Sequence, residues 1–186
     1  EIWAEFSNEN GQNYRIAGFW DGGKTYRFRF APPDTGLWHF RTFASDSTNS
    51  QLHHRTGQIH VGSASNQNAF SMFGWPRVSA NGRYFTHANG KPIFLLSDSA
   101  WEIAWKSTDA EVDTYIANRK AKGFNAIQLV AMSHIYISSF GRYNQHNEPF
   151  VLNDDLSFLN PRYFDHLDRI VEKANEAGLL VEIVPL

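Results

Sequence analysis

The fold of this chain is decided by two apolar runs, Pro92-Ile-Phe-Leu-Leu-Ser-Asp-Ser-Ala-Trp101 and Gly123-Phe-Asn-Ala-Ile-Gln-Leu-Val-Ala-Met132. Each run carries apolar residues on both faces, which is typical of a strand that is buried on both sides. The segment between them has the period of a helix. The pattern therefore predicts two parallel strands joined by a crossover helix, which is one unit of an α/β fold.

The crossover helix has clear start and stop signals. Thr108 is followed three residues later by Glu111, a capping-box pattern in which each side chain satisfies a free backbone N–H group. Gly123 is expected to end the helix in the left-handed conformation. We predict a first strand at about Ile93 to Leu96, a helix that begins at Thr108, and a second strand at Ala126 to Met132.

The same unit is then repeated. Asn160-Pro161 combines a side-chain acceptor at the cap with a proline at the first helical position, where its missing N–H does no harm. Apolar residues keep a helical period until Gly178, and the run from Leu179 to Leu186 predicts a third strand.

Composition limits the class of protein. The 186 residues are 42% hydrophobic and 19% charged with a net charge of −2, so no basic surface predicts binding to nucleic acid. No apolar run reaches the roughly 20 residues of a membrane span. The absence of cysteine excludes disulfides and cysteine metal sites. Aromatic residues, at 15%, are enriched, and aromatic faces are one means of binding sugars.

Residues 1–62 have the pattern of short antiparallel strands. Apolar residues alternate with polar ones from Ile2 to Phe6, and Asn10-Gly11 is a hairpin turn signal. A further strand is expected at Tyr26 to Phe30, with its three aromatic residues on one face. The spacing predicts an immunoglobulin-like β-sandwich over residues 1–62 that lacks its first strand, which we expect upstream of Glu1.

Residues 63–80 are small and polar and then aromatic, which predicts a linker between two domains. Two Asn-Gly pairs, at Asn81 and Asn89, then flank a short segment and predict a small hairpin before the first parallel strand. The second domain is expected over residues 81–186.

Several motifs resemble a known family of glycoside hydrolases. Gly18-Phe-Trp-Asp21, Arg27-Phe-Arg-Phe-Ala-Pro32 and Gly36-Leu-Trp38 are similar to the N-terminal sandwich domain that precedes certain bacterial glycoside hydrolases. Ser97-Asp-Ser-Ala-Trp101 and the run from Gly178 to Leu186 resemble the start of the catalytic (β/α)8 domain of the apiosidase-like hydrolases. The usual Gly-Asp-Thr-Ala-Trp of that family appears here with serine at the first and third positions.

The resemblance implies an immunoglobulin-like sandwich followed by the first three βα units of a TIM (β/α)8 barrel. Such a barrel has eight strands, and its active site lies at their carboxyl ends. Glycoside hydrolysis usually needs two carboxylates, and the resemblance implies that both lie beyond Leu186. It implies a secreted or periplasmic enzyme that cleaves O-glycosidic bonds in a plant or microbial polysaccharide, without a cofactor or metal. The remaining part of its own barrel is then a partner of this chain.

Four residues are candidates for contact with the carbohydrate. Asp98, at the end of the first strand, is a candidate to bond a sugar hydroxyl, or else caps the backbone of its own loop. Trp101 and Trp105, one helical turn apart, form either a stacking platform or a lid on the core. His134 follows the second strand and either contacts substrate or makes an ordinary loop hydrogen bond. None of the four is predicted to be the catalytic acid or nucleophile.

Three other sequence features carry structural or functional expectations. Gln128, in the middle of the second strand, is expected to satisfy a buried partner inside the barrel. The segment 135–159 is longer than a typical βα loop and is expected to shape a substrate cleft. The pair His53-His54 is expected to lie in a solvated turn.

Other functions are less compatible with the sequence. A nucleotide-binding doubly wound fold has a glycine-rich turn after its first strand, and Ser97-Asp-Ser-Ala-Trp-Glu102 contains no glycine. A metal-dependent barrel hydrolase is expected to have paired histidines at the end of the first strand, where this chain has none. A non-catalytic carbohydrate-binding or adhesive protein remains the alternative.

Overall fold

The structure is a computed structural model that describes residues 1–63, 68–132, 142–152 and 157–185. The chain divides into two compact units, Glu1–Ser65 and Asn66–Leu186. Among the described residues, no helix is both long and apolar enough to cross a membrane.

The first unit is built from antiparallel strands. The strands are β1 Ile2–Asn8, β2 Asn13–Ala17, β3 Phe19–Trp20, β4 Tyr26–Arg27, β5 Gly36–Ala44 and β6 Thr56–Val61. A four-stranded sheet has the order β2-β1-β5-β6, and β3 pairs with β4 as a separate ribbon. The packing of this unit as an immunoglobulin-like sandwich stays a prediction.

The core of the first unit follows the alternation in β1. Ala4 and Phe6 are buried together with Trp38 of β5, and Phe30 stacks on Phe6 with a centroid separation of 4.1 Å. The hairpin between β1 and β2 turns at Gly11, whose φ of 77° lies in the region that glycine reaches at low cost.

The strand predicted at Tyr26 to Phe30 is shorter than expected. Only Tyr26 and Arg27 pair with another strand, and Phe28 and Phe30 pack on the core whereas Tyr26 is 42% exposed. The chain leaves the ribbon because burial of the two phenylalanine rings is favoured over continued pairing at a two-stranded edge.

The described part of the second unit contains two three-stranded sheets and four helices. Its elements are α1 Ala69–Phe73, β7 Arg77–Val78, β8 Phe85–Thr86, β9 Pro92–Ile93, β10 Ser97–Ser99, α2 Ile103–Lys106, α3 Asp109–Ala121, β11 Ala126–Val130, α4 Pro161–Glu176 and β12 Leu180–Val184. The described part of the predicted linker 63–80 thus contains α1 and β7. The first sheet, β7-β8-β9, is antiparallel and includes the predicted hairpin.

The second sheet has the order β10-β11-β12, and both of its pairings are parallel. The first parallel strand begins at Ser97, so its prediction at Ile93 to Leu96 is wrong. Ile93 instead pairs with Phe85 of β8. Asn125 explains the offset: its side chain donates to the Phe94 carbonyl at 2.7 Å and accepts from the Leu96 N–H at 2.9 Å, so pairing with β11 begins after these residues.

Both long helices begin where the sequence predicts. The reciprocal bonds of the capping box between Thr108 and Glu111 are present at the start of α3. The Asn160 side chain accepts the N–H of Arg162 at 3.2 Å at the start of α4, whose first residue is Pro161. The two helices and the central strand share one core, which includes Val112, Ile116, Ile127, Leu129, Tyr163, Leu167 and Ile170.

Candidate functional site

The carboxyl ends of the three parallel strands lie together at one end of the sheet, here called the rim. The Val130 N–H donates to the Trp101 carbonyl at 3.2 Å, and the Ala131 N–H donates to the Val184 carbonyl at 2.8 Å. These bonds place Trp101 beside the end of β11. Gly123 and Gly178 precede β11 and β12, and therefore lie toward the amino ends of the strands, opposite the rim.

Asp98 lies in β10 and is bonded to helix α3. Its Oδ2 atom accepts the Tyr115 hydroxyl at 2.8 Å and also the Arg119 Nε–H. The Arg119 guanidinium packs over the rings of Tyr115 and Phe124, at 4.8 and 5.4 Å from their centroids. Asp98 is thus one member of a strand-to-helix network, and its contact with a sugar stays a prediction.

The electrostatics of this network hold Asp98 in its charged form. Partial burial raises the pKa of the Asp98 carboxyl, but hydrogen bonds from Tyr115 and Arg119 and the charge of Arg119 outweigh burial, so the pKa is lowered. Burial and the bond to Asp98 raise the pKa of Tyr115 to about 12, so its hydroxyl remains a donor. The network therefore behaves as a fixed ion pair at neutral pH.

The register of the sheet places Asp98 on the helix side. Asp98 is paired with Ile127, which is fully buried in the core shared with α3 and α4. Side chains alternate across a strand, so the neighbouring register row of Ser99, Gln128 and Glu182 lies on the opposite face. Of this row, the sequence predicts an inward position for Gln128 alone, because Glu182 is embedded in an apolar run.

The comparisons with known proteins agree with this topology. A family model described as "Apiosidase-like, catalytic domain" matches residues 79–186, which is more than half of the chain. The chain belongs to the apiosidase-like family. A second model, of a domain of unknown function (DUF5060), matches residues 1–45. No curated protein is significantly similar to the chain in sequence.

Solved structures show the same fold. A putative glycoside hydrolase from Bacteroides vulgatus ATCC 8482 is similar over 99% of this chain, with a TM-score of 0.74 and 21% identity. A structure named only as a glycoside hydrolase matches 64% of the chain with a TM-score of 0.54 and 26% identity. A family 5 glycoside hydrolase from the same Bacteroides strain matches 67% with a TM-score of 0.53 and 23% identity. The apiosidase-like chain spans 36%, 26% and 27% of the lengths of these three proteins.

The two tryptophans of the predicted stacking platform have different environments. Trp101 is 47% exposed on the rim, whereas Trp105 in α2 is 4% exposed and belongs to the core. Helix α2 turns Trp105 into the apolar interior, which agrees with the alternative of a lid on the core and removes Trp105 from a stacking platform. Of the two, Trp101 presents an accessible ring in this apiosidase-like chain.

Other predicted features are only partly described. His134 lies outside the described residues, as does part of the segment 135–159. Residues 142–152 form a turn closed by a bridge between Tyr143 and Pro149. His53 and His54 lie in a turn of the first unit, with ring centroids 3.8 Å apart.

Proposed function

We propose that this chain is part of a longer bacterial glycoside hydrolase, secreted or periplasmic, that cleaves O-glycosidic bonds in a plant or microbial polysaccharide. The observation that carries the proposal is the match of an apiosidase-like catalytic domain to residues 79–186, where the parallel sheet lies. The likeness to glycoside hydrolase structures supports the fold that this activity needs.

The proposed architecture is an immunoglobulin-like sandwich over residues 1–62, a linker over 63–80, and three βα units of a TIM barrel over 81–186. The parallel order β10-β11-β12, with α3 and α4 each followed by a parallel strand, supports the barrel. In a barrel the outer face of each strand packs on helices and the inner face is filled by side-chain layers. The polar row of Ser99, Gln128 and Glu182 is then part of the interior.

In this proposal the acid and the nucleophile or base are supplied from outside residues 1–186. Hydrolysis requires two carboxylates about 5 to 9.5 Å apart across the bond, one of which protonates the leaving oxygen. Asp98 does not fit the acid role, because its lowered pKa keeps it ionised and Arg119 occupies its Oδ2 atom. Asp98 is instead proposed to hold the rim in place, with any sugar contact made by its other oxygen.

The chain contributes one side of the substrate cleft. Trp101 is the described residue best placed to stack on a sugar ring, because it is exposed at the strand ends where barrel enzymes bind substrate. His134 is proposed as a polar contact on the same rim, since it follows β11 in sequence.

The class of reaction is tested on the full-length protein with a panel of aryl glycosides and pectic oligosaccharides. Turnover of at least one substrate, with release of a reducing sugar, is expected. Saturable binding of the same oligosaccharides without turnover would contradict the proposal and favour the non-catalytic carbohydrate-binding alternative.

A further inference from the structure

A turn between β11 and α4 holds one histidine in a fixed position. The buried Asn144 side chain accepts the backbone N–H groups of His146 and Glu148, at 2.9 and 3.1 Å, and donates to the Tyr163 carbonyl at 3.2 Å. Gln145 donates to the Trp105 carbonyl at 3.5 Å. These bonds anchor the turn to α4 and α2, so the backbone that carries His146 is preorganised.

Two further ligand-type side chains meet His146 from different helices. Asp109 is the first residue of α3, and His166 lies in α4 with only 1% of its side chain exposed. The Asp109 Oδ1 atom lies 3.5 Å from His146 Nε2 and 3.2 Å from His166 Nδ1, and the two nitrogens are 3.2 Å apart. Three donor atoms thus form a nearly equilateral triangle.

This triangle has the dimensions of one face of a tetrahedral metal site. Nitrogen and oxygen ligands about 2.0 to 2.1 Å from a tetrahedral zinc ion lie about 3.3 to 3.4 Å from one another. The three separations in the structure, 3.2, 3.2 and 3.5 Å, lie within about 0.1 Å of that range. Such a triangle leaves a fourth tetrahedral position unfilled by these three side chains.

The hydrogen bonds around the cluster leave its three inner atoms as acceptors. His166 Nε2 lies 3.0 Å from the Ser107 carbonyl, which only accepts, so Nε2 carries a proton and Nδ1 of the neutral ring holds a lone pair. Arg169 Nη2 donates to His146 Nε2 at 2.9 Å. A metal-ligating histidine typically donates its other ring N–H to a backbone carbonyl in this way.

We propose that Asp109, His146 and His166 bind a divalent transition-metal ion of the zinc class, with the fourth coordination position open to water. The site goes beyond the proposed hydrolase activity and does not depend on it. Imidazole and carboxylate ligands suit this class of ion. The bound ion would join the turn at His146 to α3 and α4, three segments that are far apart in sequence.

Arg169 is the competitor of the ion. Its guanidinium donates to His146 and lies 3.7 Å from Asp109 Oδ1, so without a metal it supplies the positive charge that three converging acceptors need. Its side chain is 42% exposed, so it has access to solvent when an ion enters. Removing this charge therefore strengthens metal binding.

The test measures Zn²⁺ binding by equilibrium dialysis, and the visible absorption of bound Co²⁺, with the full-length protein and five variants. One Zn²⁺ is expected to bind in wild type, and His146→Ala or Asp109→Asn is expected to weaken it more than about 100-fold, beyond the loss typical of outer-shell changes. Arg169→Ala is expected to bind Zn²⁺ at least about 5-fold more tightly, because two unit charges about 4 Å apart repel each other by about 1 kcal/mol even in water.

His54→Ala is the matched control, because His54 belongs to a histidine pair in the first unit that has no carboxylate at such distances among the described contacts. It should leave Zn²⁺ binding unchanged. His166→Ala is included with a circular dichroism check, and if it fails to fold, the half-exposed His146 decides the question. Equal Zn²⁺ binding by wild type and His146→Ala, or weaker binding by Arg169→Ala, would overturn the proposal.

Discussion

At the scale of single residues, the chemistry near the rim depends on how each side chain is oriented, and composition does not determine this. Asp98 was a candidate because it follows an apolar run, yet its position in the register sends it toward Tyr115 and Arg119. Once β10 begins at Ser97, alternation alone places Asp98 on the helix side. A shift of the strand by one residue would have placed Asp98 on the face opposite the helices.

The Asp98→Asn substitution tests the role of the strand-to-helix network. Loss of the charge-assisted bonds to Tyr115 and Arg119 is expected to lower the free energy of unfolding by about 1 to 3 kcal/mol at neutral pH. Because the pKa of Asp98 is lowered in the folded protein, its contribution is complete above the ordinary aspartate value of about 3.9 and is lost as pH falls through the lowered value. Urea unfolding across an acid pH series checks both points.

Asp113→Asn is the control for this series. Its carboxylate pairs with Lys173 but is 59% exposed, so its loss should change the free energy of unfolding by no more than about 1 kcal/mol. If Asp98→Asn costs no more than Asp113→Asn, or if its deficit persists unchanged in acid, the network does not stabilise the unit as described.

The Trp101→Ala substitution tests the proposed stacking surface on the rim. Loss of one ring contact is expected to raise KM about 2- to 10-fold, from about 0.5 to 1.5 kcal/mol of aromatic interaction, with a smaller effect on kcat. Trp20→Ala, which removes an exposed ring of the first unit, should leave KM unchanged. Equal effects of the two substitutions on KM would exclude Trp101 from the substrate cleft.

The sequence could not identify the site that involves His146. Its three ligands are separated by 37 and 20 residues in the sequence, with His146 in a loop, so no ligand spacing marks them. The signal that was available is indirect: His166 lies one helical turn from Tyr163 and Ile170 on the buried face of α4, where a histidine needs polar partners.

At the scale of elements, prediction succeeded where local chemistry determines the structure. Both helix starts, at Thr108 and at Asn160-Pro161, depend on hydrogen bonds between residues close in sequence, and both are present. The glycines that follow the two helices, Gly123 and Gly178, have the expected positive φ angles. The first parallel strand was misplaced because its pairing depends on the Asn125 side chain, about 30 residues away. Local signals carry no information on such a contact.

The capping box gives a prediction for α3. Thr108→Ala removes the acceptor for the Glu111 N–H and is expected to lower the free energy of unfolding by about 0.5 to 2 kcal/mol. Thr114→Ala is the matched control in the same helix, because its hydroxyl bonds back to the Ala110 carbonyl and its loss should be neutral or slightly stabilising. Thermal unfolding of both variants measures this difference. A larger loss of stability for Thr114→Ala than for Thr108→Ala would show that the capping box does not stabilise α3 as described.

At the scale of the whole molecule, β10 and β12 are the edge strands of the parallel sheet among the described residues, and exposed apolar side chains lie in or next to them. Phe94, just before β10, is 83% exposed, and Ile183 of β12 is 43% exposed although its register partner Leu129 is fully buried. Unpaired edges and exposed apolar surface favour association with further polypeptide. We therefore expect residues 1–186 produced alone to aggregate or to bind a complementing fragment.

Ile183→Lys tests whether further structure covers this strand. In the full-length protein the substitution is expected to lower the free energy of unfolding by about 2 kcal/mol or more, because a charge would be buried. In residues 1–186 alone it should improve solubility, since the side chain is half exposed there. Ile59→Lys, in β6 of the first unit, should change stability and solubility in the same direction in both proteins. If Ile183→Lys also changes stability and solubility in the same direction in both, the proposed barrel is contradicted.

We propose that this apiosidase-like chain forms one side of a glycoside hydrolase barrel whose acid and nucleophile lie outside residues 1–186. The most direct measurement compares turnover by residues 1–186 alone, refolded if necessary, with turnover by the full-length protein on the same glycosides. Turnover is expected from the full-length protein and not from residues 1–186. Turnover by residues 1–186 would contradict the proposal, and would assign the catalytic carboxylates to this chain.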